Sequence, residues 1–189
     1  AGSIAISNSA TITDVDNTNM ASATITLTNN LDGTANEKIS LTTTQINDAF
    51  TNFGITVNIA TDNVISLSWS SLIANYQTVI NQIVYNNTSQ NPTTTDRVIT
   101  VVANDGTNDS NTASTTISIN AGNDNPILTL DNATTNFATS FTEDAGSIAI
   151  SNSATITDVD NTNMTSATIT LTNNLDGIGN EKFSLTTTQ

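Results

Sequence analysis

The 189-residue chain contains no histidine and no cysteine, and aromatic residues make up only 4% of it. Without imidazole or thiol groups, the common nucleophile–base pairs of hydrolases cannot be assembled. The scarcity of aromatic rings also argues against a glycosidase cleft, in which a carboxylate pair works beside sugar-stacking platforms. We therefore do not expect an enzyme. The lack of cysteine excludes a disulfide scaffold but does not fix the compartment.

Basic residues are almost as scarce, since 3 stand against 17 acidic residues and the formal net charge is -14. So acidic a chain is repelled by phosphate backbones and anionic lipid, which argues against nucleic acid and membrane surfaces as partners. No run approaches the ~20 apolar residues of a membrane span, so direct membrane insertion is not expected in this stretch. Oxygen-only ligands favour calcium or magnesium over zinc, copper or iron, so a divalent cation such as Ca²⁺ or Mg²⁺ is the expected partner. The alternative is that the charge serves solubility alone.

What the chain does contain is an internal repeat. Residues 1–45 return as residues 145–189 at an offset of 144, and only four of these 45 positions differ. The differences are Ala21 against Thr165, Thr34 against Ile178, Ala35 against Gly179, and Ile39 against Phe183. We interpret residues 1–121 as a repeat that lacks its first strands and residues 122–189 as the start of the next repeat, within an array that continues in both directions. Near-identical copies suit a structural or multivalent role.

Alternating apolar and small polar residues dominate the repeat. This period of two is typical of strands with one face in a core and the other in water. Turn signals such as Asp32-Gly33 and Asp105-Gly106 separate the strands. The pattern predicts an all-β fold, an antiparallel β-sandwich. The clearest predicted strands are residues 23–28, 55–59, 64–69, 98–102 and 115–119.

One segment departs from the alternation. From Ser71 to Tyr85, apolar residues recur at helical spacing after two serines that could cap a helix, which predicts one short helix per repeat. Residues 49–53 form a further helical turn or a loop. Trp69, just before the predicted helix, is assigned to the core rather than to a ligand site. Lys38 beside Glu37 predicts an exposed ion pair, with an isopeptide bond to an asparagine as the alternative.

Four acidic motifs can be placed in order along one repeat that begins at the linker. They are Asn123-Asp124-Asn125-Pro126, Thr142-Glu143-Asp144, Asp158-Val159-Asp160 with Asn163 downstream and its earlier copy Asp14-Val15-Asp16 with Asn19 downstream, and Ala103-Asn104-Asp105-Gly106. In this order and in a β-strand context they resemble the motifs of cadherin repeats, more closely the cadherin-like repeats found in tandem in very large bacterial surface proteins. The resemblance covers the whole 144-residue unit. Two family features are missing, namely the mid-repeat Asp-Arg-Glu and the aspartate that opens the linker motif.

The resemblance implies a Greek-key sandwich of the cadherin/immunoglobulin-like type, an extracellular or cell-surface location, and calcium at the junctions between repeats. Asp158 and Asp160 would meet the linker oxygens, while Glu143 would serve the following junction and the first-copy residues the preceding one. The implied ligands are Asp14, Asp16, Asp105, Asn123, Asp124, Asn125, Glu143, Asp158 and Asp160. The alternative for each Asp-x-Asp pair is a turn held by side-chain hydrogen bonds.

The expected function is structural: a calcium-stiffened tandem repeat in the stalk of a giant adhesin, or in a cell-surface filament or sheath. Its expected partners are neighbouring repeats of the same chain, and other copies laterally through exposed strand edges. The alternative is a multivalent recognition module that binds carbohydrate or mediates homophilic adhesion.

Overall fold

The computed structural model describes residues 2–61 and 63–185, and the chain divides between Asp124 and Asn125 into two compact units. The first unit is mostly β-sheet with two short helices. It contains β1 Ile4–Ala5, β2 Asn19–Leu27, β3 Glu37–Ser40, α1 Thr43–Phe53, β4 Thr56–Thr61, β5 Val64–Leu72, α2 Ile73–Ile80, β6 Val84–Asn87, β7 Arg97–Asn104 and β8 Ala113–Ile117. The second unit contains β9 Ile127–Thr129 and β10 Thr155–Thr157, which pair with each other.

The strands of the first unit form two antiparallel sheets, one in the order β4-β5-β2-β7-β8 and one in the order β1-β6-β3. The predicted alternation is confirmed, because Ile65 and Leu67 of β5 are buried while Ser66 between them is more exposed. Apolar residues from both sheets and both helices share one core. The predicted β-rich, antiparallel fold is thus confirmed, in an arrangement consistent with an all-β sandwich. Among the described residues, no helix is long and apolar enough to cross a membrane.

The strand register sorts the loops of the first unit to two ends. β2 begins where β7 ends, since Ser22 pairs with Asn104, and β8 ends where β7 begins, since Ile117 pairs with Arg97. Loops 13–18 and 105–112 therefore lie at one end, which we call the acidic end. Loops 28–36, 88–96 and 118–124 lie at the other, which we call the linker end.

The helices differ from the prediction in number and in bounds. α1, expected as a turn or a loop, is complete: Thr42 and Gln45 form a reciprocal capping box, and Gly54 ends the helix at a φ of 70°. α2 covers only Ile73–Ile80, and its N-cap residue, Leu72, makes no capping hydrogen bond through its side chain. The predicted serine cap is wrong, because the Ser71 hydroxyl donates instead to the Phe53 carbonyl at 2.7 Å.

The core position predicted for Trp69 is also wrong. Every second residue of β5 points inward, which would bury this side chain. The pairing of β2 with β5 shifts between Met20 and Ser22, so that Trp69 and Ser70 together face a single residue of β2. At this bulge Trp69 adopts a φ of 81°, and it is 69% exposed.

A buried ionic cluster joins distant segments at the linker end. Arg97 has no exposed surface; its Nε pairs with Glu37 Oε1, and its second terminal nitrogen lies 2.7 Å from Asp32 Oδ2. Tyr85 donates its hydroxyl to Glu37 Oε1 at 2.7 Å, and two backbone amides donate to Oε2 at 2.9 and 3.0 Å. Since Glu37 is buried against Arg97, the predicted exposed ion pair with Lys38 is wrong.

These contacts shift the pKa values of Asp32 and Tyr85. Burial raises the pKa of Asp32, but hydrogen bonds from Thr93 and Asn87 and the charge of Arg97 outweigh it and hold the pKa below its usual value. Burial, together with the Glu37 carboxylate, raises the pKa of Tyr85 to about 12. Tyr85 therefore keeps its hydroxyl proton at neutral pH and remains a hydrogen-bond donor. The hydrogen bonds and ion pairs of the cluster hold β3, β6 and β7 together.

The second copy of the repeated sequence is folded differently from the first. Residues 19–27 form β2 in the first copy, whereas the equivalent residues 163–171 form no strand. The local turns are nonetheless the same, because the amides of Glu37 and Glu181 donate to the carbonyls of Gly33 and Gly177, each at 2.9 Å. Local sequence thus sets the turns, and strand formation needs the partners β5 and β7.

Candidate metal-binding loops

Asp14 organises the loop that precedes β2. Its Oδ1 accepts the backbone amides of Asp16 at 2.9 Å and Asn17 at 2.8 Å, so the side chain closes an Asx-type turn. Asp14 is half-buried, while Asp16 is exposed. The turn predicted as the alternative to a metal site is therefore present. It uses one carboxylate oxygen and leaves Asp14 Oδ2 without a hydrogen bond in the described part of the chain.

A second acidic turn lies beside the first at the acidic end. Asp105 Oδ1 accepts the amides of Thr107 at 2.6 Å and Asn108 at 2.7 Å, and these bonds lower the pKa of Asp105. The side-chain amide of Asn17 donates to Asp105 Oδ2 at 3.1 Å. Asn17 therefore links the turn of Asp14 to that of Asp105, 88 residues later in sequence.

Asn17 was missed by the sequence analysis, which singled out Asn19 as the companion of the Asp-x-Asp pair. Asn19 instead begins β2, and its side-chain amide lies 3.4 Å from the Ser70 hydroxyl. The signal for Asn17 was its position three residues after Asp14. In a turn of this kind, the backbone amide of the residue at that position donates to the aspartate side chain.

The second copy repeats the first turn in detail. Asp158 Oδ1 accepts the amides of Asp160 at 2.9 Å and Asn161 at 2.8 Å. Both aspartates are half-buried. Glu143, in the same unit, lies exposed in a turn in which Asp144 has a φ of 65°.

The linker residues complete the set. Asn123 and Asp124 follow β8 at the linker end of the first unit, and the Asn123 side-chain amide donates to the Asp124 carbonyl at 2.7 Å. Asn125 opens the second unit. All three are exposed, so their oxygens are accessible.

Within each unit, the described residues hold no convergent group of three or more carboxylates that could enclose an ion. The first unit does bring Asp14 and Asp105 to one end and the linker residues to the other. Calcium takes six to eight oxygens at about 2.3–2.6 Å, so a complete site needs ligands from more than one of these loops. The predicted ligand set stays a prediction.

The residues most strongly organised by the fold are those of the Asp32–Glu37–Arg97 cluster, which the sequence analysis did not identify. Its signal was compositional, because the only arginine of so acidic a chain is a strong candidate for a buried charge partner. Comparison of the chain with models of known protein families, with curated proteins and with solved structures finds no match.

Proposed function

We propose that this chain belongs to an extracellular, calcium-stiffened array of cadherin-like, Greek-key repeats that forms a stalk, filament or sheath at a cell surface. The observation that supports this proposal is the arrangement of the first unit. Its acidic turns lie at one end, and its linker lies at the opposite end. Repeats joined head to tail would therefore bring the acidic end of one copy to the linker of the preceding copy.

The charge distribution supports a cation as part of this assembly. Arg97 is buried and already paired with carboxylates. The other two basic residues of the sequence are Lys38 and Lys182. Acidic surfaces that approach each other repel unless a counterion neutralises them. Oxygen ligands in exposed loops are typical of extracellular calcium modules, whose dissociation constants are about 10⁻⁴–10⁻³ M.

Calcium binding by the 189-residue chain tests the ligand assignment. Replacing Asp158 and Asp160 by asparagine should weaken calcium affinity about tenfold or more, because affinity depends on the number of charged ligands. Isothermal titration with CaCl₂ measures the effect. The matched control is the same pair of substitutions at Asp14 and Asp16, where the assigned junction precedes residue 1; a smaller effect is expected there. Equal effects of the two pairs would contradict the assignment.

A second candidate function, recognition of carbohydrate, is favoured by Trp69. The tryptophan is exposed in a backbone conformation rare for bulky residues, and its carbonyl accepts the buried Tyr76 hydroxyl at 2.7 Å. Strain held in this way at an exposed aromatic residue suits a rigid stacking platform.

The intrinsic fluorescence of this single tryptophan tests the second function. If Trp69 stacks on sugars, neutral oligosaccharides should shift its emission, and Trp69→Ala should abolish their binding in calorimetry. Trp69→Phe keeps an aromatic ring and should retain part of the affinity. An unchanged emission spectrum across an oligosaccharide panel at millimolar concentration would leave the structural role alone.

A further inference from the structure

The outer face of the five-stranded sheet, as far as the structure describes it, carries no charge. The sheet is built from residues 19–117, inside the first unit. In sequence, its strands β2, β4, β5, β7 and β8 contain a single charged residue, Arg97, whose side chain is buried. Ile25 of β2 is also buried, so Thr24 and Thr26 on either side of it lie on the outer face. This part of the surface is therefore neutral, although the formal net charge of the chain is -14.

The strand register spreads small side chains over this face. Thr24 pairs with Ser66 of β5 on one side and with Val102 of β7 on the other. The next outward position of β2 is Thr26, which pairs with Thr100 of β7. In the described part of the chain, the hydroxyls of Thr24, Ser66 and Thr100 make no hydrogen bond. Their donors and acceptors are therefore available to a partner.

Carboxylates border the sheet instead of lying on its outer face. They occupy the loops at the two ends of the strands, as Asp16 does at the acidic end and Asp96 at the linker end. A neutral centre with a charged rim is the arrangement found in protein–protein interfaces, whose cores are depleted of charged residues. The distribution of charge thus marks this face as a contact surface.

We propose that this face packs against the same face of a second copy of the chain, sheet on sheet. Each hydroxyl both donates and accepts, so a face of hydroxyls is complementary to itself, as a two-fold contact requires. Because the face is neutral, two acidic chains can approach here without setting carboxylate against carboxylate. The contact needs no metal and does not rest on the proposed calcium array.

The chemistry of the face disfavours other partners. A basic protein would need carboxylates to pair with, and the face presents none among its described residues. The only aromatic residue in the five strands is Trp69, at the bulge near the end of β5. The centre of the face therefore offers sugars no stacking platform. A second copy is the partner that the composition of the face fits best.

The size of the face sets the strength of the contact. Five strands about 4.8 Å apart, with about five residues each at about 3.4 Å per residue, cover about 24 Å by about 17 Å. Two such faces bury about 800 Å² in total, whereas stable interfaces bury about 1,200–2,000 Å². One pair of faces therefore associates weakly, and repeats in tandem multiply the contact.

Cross-linking of single-cysteine variants tests the proposal, since the chain has no cysteine of its own. Thr24→Cys puts a thiol at the centre of the face, on the middle strand of the sheet. Packed sheets lie about 10 Å apart, which is too far for a disulfide, so a short bismaleimide joins the two thiols. Thr44→Cys, exposed on α1, is the control for chance collision. In EDTA and at matched concentrations, we expect at least about tenfold more covalent dimer from Thr24→Cys, because contact of the two faces raises the effective concentration of the thiols.

Charges placed on the face give an independent readout. Adding Ser66→Glu and Thr100→Glu to Thr24→Cys should lower the yield of dimer at least about tenfold, because like charges then meet across the contact. The matched control adds Asn47→Glu and Asn52→Glu, which are exposed on α1, and should leave the yield unchanged. Circular dichroism checks that each variant retains its strands.

Two results would overturn the proposal. Equal cross-linking of Thr24→Cys and Thr44→Cys would mean that the face is a hydrated surface of a monomer. An equal loss of dimer from charges on the face and from charges on α1 would mean that net charge, rather than this face, controls association.

Discussion

Replacement of Arg97 by methionine should lower the free energy of unfolding of the first unit by about 3–5 kcal/mol. The substitution keeps an apolar stem of similar length but leaves the buried carboxylates of Glu37 and Asp32 without their cation. An uncompensated buried charge costs far more than the ion pair itself contributes. Since small domains are stable by about 5–15 kcal/mol, the variant should lose a large part of its stability. Urea unfolding followed by Trp69 fluorescence measures the difference.

Lys38→Met is the control for this prediction. It removes the same charge from an exposed position in β3, next to Glu37, and should change the stability by no more than about 0.5 kcal/mol. Neutralising the cluster completely, with Glu37→Gln and Asp32→Asn added to Arg97→Met, should recover part of the loss. If the free energy of unfolding of Arg97→Met lies within about 1 kcal/mol of that of the unsubstituted chain, the cluster does not hold the unit together.

Truncation of Ile25 to alanine should cost about 2–5 kcal/mol, whereas the same truncation of Ile169 should cost less than about 0.5 kcal/mol. The two residues have identical neighbours in sequence, from Ser22 and Ser166 onward to Asn30 and Asn174. Ile25 is enclosed in the core between β5 and β7, and removing its methyl groups leaves a cavity there. Ile169 is largely exposed, so little buried surface is lost.

The measurement is urea unfolding of the two single variants followed by circular dichroism, because Trp69 lies in the first unit and does not report on the second. The pair forms its own matched control, because intrinsic strand propensity and local sequence cancel in the comparison. Equal losses of stability would mean that residues 163–171 are packed as β2 is, and the account of the second copy would be wrong.

The strands could be predicted from sequence because alternation reports burial directly, as Ile65 and Leu67 illustrate. Trp69 could not be predicted, since a single inserted residue in β5 reverses which face the following side chain occupies. The Arg97 cluster was missed for a different reason. Its members, Asp32, Glu37 and Arg97, meet only through sheet topology, and no local pattern joins them.

The candidate site likewise contains local features, which the sequence predicts, and features that depend on the tertiary fold. Turns of the Asp14 kind are local, and they form in both copies from the same few residues, so the motif alone predicts them. The link from Asn17 to Asp105 depends on β2 and β7 being neighbours, and an ion site that spans consecutive repeats depends on two copies at once. The order of the motifs therefore predicts which residues lie in the acidic loops. It does not predict how the oxygens of these residues converge.

Small-angle X-ray scattering of a chain spanning two complete repeats tests calcium stiffening most directly. In millimolar CaCl₂ the maximum dimension should equal that of two repeats in line. EDTA should shorten the mean dimension and broaden the distance distribution, because acidic loops that lose their cation no longer hold together and the junction can bend. Asparagine at Asp158 and Asp160 should give the EDTA profile even in calcium. Identical scattering profiles in CaCl₂ and EDTA would contradict the claim that calcium braces the junction.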